Sequence, residues 1–181
     1  FFYNRSYSVG DATLLMNQSI ASLVQTLSGL LEKSSIKIAL AESCTGGLLA
    51  AHLTAQAGSS LWFDRGFVTY SNASKTESIG VSSSIIEQYG AVSEEVAKAM
   101  AQGALNHSAA KTSIAITGIA GPGGSTENKP VGMVCFAWAV QFPGSPALLI
   151  ASTQIFDGGR QAIREHACAY ALNELIQILR K

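Results

Sequence analysis

The stretch Ile36-Lys-Ile-Ala-Leu-Ala-Glu-Ser-Cys-Thr-Gly-Gly47 decides the fold, because it joins a short apolar run to a turn and then to a second apolar segment. The run over 36–41 predicts a buried β-strand, and 46–55 predicts the helix that follows it. A hydroxyl, a thiol and two glycines lie between them, where a helix start leaves backbone N–H groups without partners. Such a turn is typical of a site that stabilises an oxyanion or holds a phosphate.

Helix and strand patterns alternate on both sides of this stretch. Upstream, an amphipathic helix begins at Ile20 and ends within 32–35. Downstream we predict a strand over 67–70, short helices over 71–79 and 82–89, a helix from the N-cap Ser93 to Asn106, strands over 113–119, 131–140 and 148–156, and a last helix over 159–179. The short connection 143–146 suits an antiparallel hairpin. This order predicts a three-layer α/β domain around a mostly parallel sheet.

Composition bounds the class of protein. The 181 residues are 48% hydrophobic, enough for one domain with a core, and 12 basic residues balance 12 acidic ones. A formal net charge of zero argues against nucleic acid or an anionic membrane as partner. The chain has no apolar run long enough to span a bilayer. Cys44, Cys135 and Cys168 form no close pair and the histidines lack ligand spacing, so we expect no disulfide or zinc and a reducing cytoplasm.

The first residues are set apart from this pattern. Residues 1–15 lack the charge order and cleavage site of a signal peptide, and a smoother amphipathic pattern begins at Met16. Our hypothesis is that 1–15 is a tag or disordered extension without function and that 16–181 is a single domain. A natural protein whose intact mass included Phe1 to Leu15 would contradict it.

The turn after the first strand offers a nucleophile. Ser43 would attack, with the N–H groups of Thr45 and Gly46 facing the developing oxyanion. The same residue types also form plain helix N-caps. Cys44 is a rival nucleophile, since a helix start lowers the pKa of a thiol, or else a small buried residue.

The segment Tyr70-Ser-Asn-Ala-Ser-Lys75 offers a base. A serine needs its proton removed, and no histidine is well placed in sequence to form a triad. Lys75 serves if burial or positive neighbours lower the pKa of its amine, and Tyr70 could relay a proton. The alternative is a solvated lysine beside a core tyrosine.

A glycine-rich loop offers an anion site. It runs Thr117-Gly-Ile-Ala-Gly-Pro-Gly-Gly-Ser-Thr126, with Lys129 shortly after it. Glycines after a strand let N–H groups approach an anion, although the order matches neither dinucleotide nor P-loop fingerprints. A purely structural loop is the alternative. His107 and His166 fall in predicted helices and are interpreted as ordinary helix residues.

Taken together, these segments resemble the C-terminal domain family of the competence/damage-inducible protein CinA, including its stand-alone nicotinamide-nucleotide amidases. The segments, in order, are Ala41–Gly47, Gly58–Ser60, Gly66–Lys75, Gly90–Ser93, Gly118–Pro122 and Lys129–Gly132. The resemblance runs from about Met16 to the C-terminus. It implies an α/β/α sandwich with a mixed sheet of five strands.

The resemblance also implies an activity. A family member of this type hydrolyses the carboxamide of nicotinamide mononucleotide to nicotinate mononucleotide and ammonia, in pyridine-nucleotide recycling, without metal or cofactor. By the family's motifs Ser43 is the nucleophile, Lys75 its base and Tyr70 an assisting group. The expected substrate contacts are Cys44, Thr45, Gly46, Gly47, Thr117, Gly118, Gly121, Lys129 and Arg160. The partner is then a small nucleotide, and a homo-oligomer stays open. A non-catalytic nucleotide-binding module and an amidase for another small amide are the alternatives.

The chain departs from the family pattern at two positions. Gly123 stands where the family commonly has the Asp of Gly-Pro-Asp-Gly, and Gly159 where it has the Asp of Gly-Asp-Arg. Each change removes a carboxylate, while glycine tolerates the same turns. We expect the fold to survive; how Arg160 is held and how tightly a ligand binds are left open.

Overall fold

The computed structural model describes residues 19–181, so the hypothesis about residues 1–15 lies outside the described residues. The elements are α1 (Ile20–Ser34), β1 (Ile38–Glu42), α2 (Leu48–Thr54), a 3-10 turn (Ser59–Leu61), β2 (Phe63–Val68), α3 (Asn72–Ile79), α4 (Ser83–Tyr89), α5 (Glu94–Asn106), β3 (Thr112–Gly118), β4 (Met133–Val140), β5 (Leu148–Ile155) and α6 (Arg160–Leu179).

The five strands form one mixed sheet in the order β2-β1-β3-β4-β5. Strand β1 is parallel to both β2 and β3, whereas β3/β4 and β4/β5 are antiparallel pairs. The predicted fold class and the antiparallel hairpin of the last two strands are confirmed. Because β2, β1 and β3 are parallel, their carboxyl ends meet at one edge of the sheet, where open α/β sheets bind ligands.

Helices cover both faces of the sheet, and the strands present different residues to each. Large side chains of β1, β3 and β4 pack against α1, α2 and α6; they include Ile38, Leu40, Ile114, Ile116, Phe136 and Trp138. The opposite face meets α3, α4 and α5 with small side chains, among them Ala39, Ala41, Ala115, Ala137 and Ala139. Small side chains let α5 approach closely, and Ser113 Oγ donates a 2.8 Å hydrogen bond to the Ala101 carbonyl of that helix.

The largest departure from the predicted elements concerns β2. The prediction placed this strand over 67–70, but it runs from Phe63 to Val68. Strand β2 is an edge strand whose middle is exposed and carries an Asp64–Arg65 ion pair of 2.7 Å, so its sequence lacks an apolar run. Tyr70 therefore lies beyond the strand with 59% of its surface exposed, and the alternative of a core tyrosine is wrong.

The remaining element boundaries agree with the prediction to within about three residues, as is usual for element ends. Ser93 is the N-cap of α5 and accepts a 3.2 Å hydrogen bond from the Val96 N–H, as predicted. Within residues 19–181 no helix is long and apolar enough to cross a membrane.

Candidate active site

The turn between β1 and α2 is shaped by Glu42, a residue that the sequence analysis passed over. Its carboxylate is 1% exposed and accepts hydrogen bonds from the N–H groups of Gly47 (3.1 Å), Leu49 (3.1 Å) and Ala50 (2.9 Å). The sequence does contain a signal for this capping role, because Glu42 is an acidic residue at the end of an apolar strand and just before a helix start. The N-cap of α2 is Gly47, so the turn does form a helix cap, but Glu42 rather than the Ser43 hydroxyl accepts hydrogen bonds from the N–H groups at the helix start.

Two glycines allow this turn to form. Gly46 and Gly47 adopt φ values of +58° and +93°, in the left-handed region that side chains disfavour. The turn leaves Ser43 immediately after β1, where its backbone N–H donates a 2.9 Å hydrogen bond to the Ile116 carbonyl of β3. The sequence Glu-Ser-Cys-Thr-Gly-Gly thus fixes the Ser43 backbone without using its hydroxyl.

Lys75 meets Ser43, although the two residues are 32 positions apart. The Nζ–Oγ distance is 3.1 Å. Ser71 caps α3 by accepting a hydrogen bond from the Ser74 N–H (3.0 Å), which places Lys75 one turn into that helix. Lys75 is 1% exposed, so the alternative of a solvated lysine is wrong.

The surroundings of Lys75 favour its neutral form. Burial lowers the pKa of the amine, opposed by a smaller effect of Cys44. Nζ also lies 2.8 Å from the Thr69 carbonyl oxygen and 3.4 Å from that of Tyr70. A neutral amine has two N–H groups and one lone pair. A neutral amine that donates both N–H groups to these carbonyls keeps its lone pair for the hydroxyl hydrogen of Ser43.

Cys44 has the opposite electrostatic character to an activated thiol. It is 7% exposed, and burial raises the pKa of its thiol to about 11. A thiol with this pKa is protonated near neutral pH and is a weak nucleophile. The geometry therefore favours Ser43 over Cys44.

The backbone donors next to Ser43 differ from those predicted. The Gly46 N–H donates a 3.0 Å hydrogen bond to the Ser43 carbonyl, so the prediction that it faces an oxyanion is wrong. The N–H groups of Cys44 and Thr45 have no acceptor among residues 19–181. Arg164 of α6 also binds this turn, since its guanidinium donates a 2.8 Å hydrogen bond to the Thr45 carbonyl.

A pocket of about 260 Å³ opens beside Ser43 at the carboxyl edge of the parallel strands. Its lining comprises Ser43, Cys44, Tyr70, Asn72, Lys75, Ala91, Val92, Thr117, Gly118, Ile119, Ala120, Gly121, Gly123, Gly124 and Arg160. In the loop after β3, the N–H groups of Ala120, Gly121, Gly123 and Gly124 have no acceptor in the described part of the chain. This wall is suited to an anion.

Arg160 spans one side of the pocket. It begins α6 and donates hydrogen bonds to the Gly121 carbonyl (2.7 Å) and to the Tyr70 hydroxyl (3.0 Å). Arg160 is therefore held by a carbonyl and a phenol, although Gly123 and Gly159 stand where the family commonly has aspartates. A Cβ at Gly123 or Gly159 would meet nothing within 4 Å, so neither glycine is required by crowding.

Most of the predicted site residues converge here, and a few do not. Thr117, Gly118, Gly121 and Arg160 line the pocket together with Ser43, Cys44, Tyr70 and Lys75, whereas Thr45, Gly46, Gly47 and Lys129 lie outside the lining. Asn72, Ala91 and Val92 line it but were not predicted, although all three fall in segments that carry the family resemblance.

His107 lies at the end of α5 and His166 lies within α6, in the helices predicted for them. His107 caps the end of α5 through a 2.9 Å contact with the Gly103 carbonyl, and His166 packs beside Phe156. The three cysteines are unpaired and buried. Over residues 19–181 no cluster of three His, Cys, Asp or Glu side chains could hold a metal ion.

A comparison with known families identifies the family of this chain. The family model of the CinA C-terminal domain matches residues 20–179, from the start of α1 to the end of α6. The chain belongs to the CinA C-terminal domain family.

Its relatives fall into two size classes. The nicotinamide-nucleotide amidohydrolase PncC of Enterobacter agglomerans is 49% identical over 140 residues, which are 77% of this chain and 83% of that protein. The PncC of Escherichia coli K12 is 44% identical over 163 residues, 90% and 96% of the two chains. A CinA-like protein of Mycolicibacterium paratuberculosis is 52% identical over 143 residues, 79% of this chain but only 33% of that longer protein.

Solved structures of the family share the fold. A competence or damage-inducible protein from Enterobacter asburiae aligns with a TM-score of 0.84 at 34% identity, over 90% of this chain and 99% of that one. One from Agrobacterium tumefaciens aligns with a TM-score of 0.82 at 41% identity, over 90% and 96%.

Proposed function

We propose that this protein is an amidase that hydrolyses the carboxamide of nicotinamide mononucleotide to nicotinate mononucleotide and ammonia. The observation that carries the proposal is the 3.1 Å contact between Ser43 Oγ and the buried Lys75 Nζ beside a polar pocket. Two of the relatives described above are named nicotinamide-nucleotide amidohydrolase, which supports this choice of amide.

The first half of the reaction forms an acyl-enzyme. Neutral Lys75 takes the hydroxyl proton of Ser43 as Oγ attacks the carboxamide carbon, and the carbonyl oxygen becomes an oxyanion. The unclaimed N–H groups of Cys44 and Thr45 are the candidate donors to that oxyanion. When the tetrahedral intermediate collapses, the C–N bond breaks. The nitrogen takes the proton from Lys75, directly or through the Tyr70 hydroxyl, and leaves as ammonia.

The second half reverses the proton flow. Water enters where ammonia left, Lys75 removes one of its protons, and the hydroxide equivalent attacks the ester carbon. The ester bond to Oγ then breaks, and Ser43 recovers its proton from Lys75. The positive charge of the pyridinium ring makes the carboxamide more electrophilic and disfavours a second cation nearby, so the substrate itself helps to keep Lys75 neutral.

We place the phosphate of the substrate against Arg160 and the loop over 120–124. Arg160 supplies a fixed positive charge there, and the loop over 120–124 supplies unclaimed N–H groups. In this proposal residues 16–181 act as one amidase domain in a reducing cytoplasm, serve pyridine-nucleotide recycling, and need no metal or cofactor.

The decisive test measures ammonia release from nicotinamide mononucleotide by the wild type, Ser43→Ala and Lys75→Ala. Because attack requires both the nucleophile and its base, each variant should lose roughly three orders of magnitude or more in kcat. Circular dichroism and thermal unfolding serve as controls for folding. Turnover that survives Ser43→Ala would overturn the mechanism, and a wild type active only on another amide would overturn the substrate.

The same assay separates the alternatives. Cys44→Ala should keep kcat within about threefold of the wild type, since its thiol is protonated. A loss equal to that of Ser43→Ala would instead identify a thiol mechanism. A non-catalytic nucleotide-binding module predicts ligand binding without turnover of any amide, with Ser43→Ala leaving the affinity unchanged.

A further inference from the structure

Residues 89–92, here called the 89–92 segment, contribute Ala91 and Val92 to the pocket wall and are held in place by side chains. Each of the segment's four carbonyls accepts a hydrogen bond from a side chain. Lys129 Nζ donates to the carbonyls of Tyr89 (2.8 Å) and Val92 (2.7 Å), and Thr117 Oγ1 donates to that of Ala91 (2.7 Å). Ser93 Oγ donates to the remaining carbonyl, of Gly90 (2.9 Å).

Ser93 directly follows the segment, whereas the other two donors are distant in sequence. Thr117 lies in β3, and Lys129 lies in the long connection between β3 and β4, 37 positions from Val92. The 89–92 segment joins α4 to α5 and places Ala91 and Val92 in the pocket lining. The side chains of Thr117 and Lys129 thus join two walls of the pocket that the sequence keeps apart.

The position of Lys129 is built closely around its ammonium. Gly90 adopts φ +78°, and a Cβ there would lie 2.8 Å from Lys129 Nζ, so a side chain at position 90 would displace the ammonium. Tyr89 ends α4, where a cation stabilises the last carbonyls. Because its donors are directed at two carbonyls and it lies outside the lining, Lys129 is poorly placed to bind a phosphate.

We propose that Lys129 and Thr117 are positioning residues, which hold the 89–92 segment as a pocket wall and do not themselves bind the substrate phosphate. With the four carbonyls occupied, this wall offers a ligand the N–H groups of Ala91 and Val92, which have no acceptor among the described residues. The kinetic part of this inference rests on the proposed amidase activity, whereas the structural part does not.

The kinetic test compares nicotinamide mononucleotide with nicotinamide riboside, the same carboxamide without the phosphate. Lys129→Met and Thr117→Val remove the donors at nearly constant volume. Each should raise KM about tenfold for both substrates by the same factor, with kcat changed less than about threefold. Lys129→Arg and Thr117→Ser restore a donor and should recover most of the loss. A rise in KM confined to the phosphorylated substrate, or no rise, would overturn the proposal.

Lys111→Met is the matched control variant, and amide hydrogen exchange is the second measurement. Lys111→Met removes an exposed lysine whose ammonium has no partner among residues 19–181, so it should leave KM unchanged. Amide hydrogen exchange over 86–96 in the ligand-free protein should become faster in Lys129→Met and Thr117→Val only. If the wild type hydrolyses neither substrate but exchange changes as expected, the proposed function fails and the positioning role stands. Unchanged exchange contradicts the positioning role whatever the activity.

Discussion

At the scale of single residues, the fold changes the acid–base behaviour of Lys75. A lysine amine in water is protonated at neutral pH and cannot accept a proton. Here it is 1% exposed between Ser43 and the carbonyls of Thr69 and Tyr70, and burial lowers its pKa. The residue is therefore useful as a base for the same reason that it is costly to bury.

This reasoning predicts the pH dependence of the rate. Lys75 acts only when neutral, so kcat/KM should fall as pH decreases through its pKa in the folded protein, with a slope of one. The midpoint of this fall in kcat/KM should lie below the ordinary lysine pKa of about 10.4, because burial lowers the pKa of Lys75. The measurement is kcat/KM from pH 6 to pH 10 with the riboside, whose lack of a phosphate removes the titration of the substrate near pH 6.

Two results would contradict the role assigned to Lys75. One is a rate that still rises with a slope of one up to pH 10, as a base with the ordinary lysine pKa would give, and the other is a pH dependence that persists unchanged in Lys75→Ala. Cys44→Ala is the matched control, since removing a protonated thiol should leave the pH dependence in place.

Only part of the candidate site could be predicted from the sequence. The chemistry of Ser43, Lys75 and Tyr70 could be named from residue types and motifs, but spacing could not bring Ser43 and Lys75 together. Their contact depends on β1 and β2 being parallel neighbours, which pairs Glu42 with Val68 and brings the residues after both strands to one edge. The structural roles of Glu42 and Lys129 were missed because a charge in a sequence does not reveal which backbone groups it will meet.

At the scale of elements, Gly29 and Gly103, the two glycines within helices of the described residues 19–181, have opposite surroundings. Gly29 lies on the exposed side of α1, and a Cβ there would meet nothing within 4 Å. Gly103 lies in α5, where a Cβ would be 2.2 Å from the Ile79 carbonyl oxygen of α3. Sequence propensity treats both positions alike, whereas the packing of α5 against α3 separates them.

Substituting alanine at each position tests this difference. Gly29→Ala should raise the free energy of unfolding by about 0.5–1 kcal/mol, because alanine loses less backbone entropy in a helix. Gly103→Ala should lower it by about 1–3 kcal/mol, since α3 and α5 must separate. The measurement is urea unfolding of both variants. Because α3 carries Lys75, Gly103→Ala should also lower kcat, and equal stability changes in the two variants would contradict the packing argument.

Elements were easier to predict from sequence than their contacts. The long amphipathic helices α1, α5 and α6 have a strong apolar period, and their bounds were predicted within about two residues. Strand β2 was displaced in the prediction because an exposed edge strand can carry charges such as Asp64 and Arg65. The β3–β4 connection was predicted as a loop, but its attachment to the 89–92 segment depends on side chains that meet only in the folded chain.

At the scale of the whole molecule, the buried base couples function to stability. Burial lowers the pKa of Lys75 in the folded protein, so between that value and about 10.4 the unfolded chain binds more protons than the folded one. Stability therefore rises with pH over this window. Below this window both states hold the proton, so Lys75 opposes folding by a constant amount, the cost of burying its charge.

Comparing wild type with Lys75→Met across pH isolates this coupling. The substitution also leaves the Thr69 and Tyr70 carbonyls without their donor, but that loss does not vary with pH and cancels in the comparison. The free energy of unfolding, measured with urea from pH 6 to pH 10, should rise for the wild type relative to Lys75→Met as pH increases. Lys111→Met, at an exposed site, should track the wild type. A difference between wild type and Lys75→Met that stays constant over the whole range would mean that Lys75 titrates normally, and the neutral base of the proposed mechanism would be lost with it.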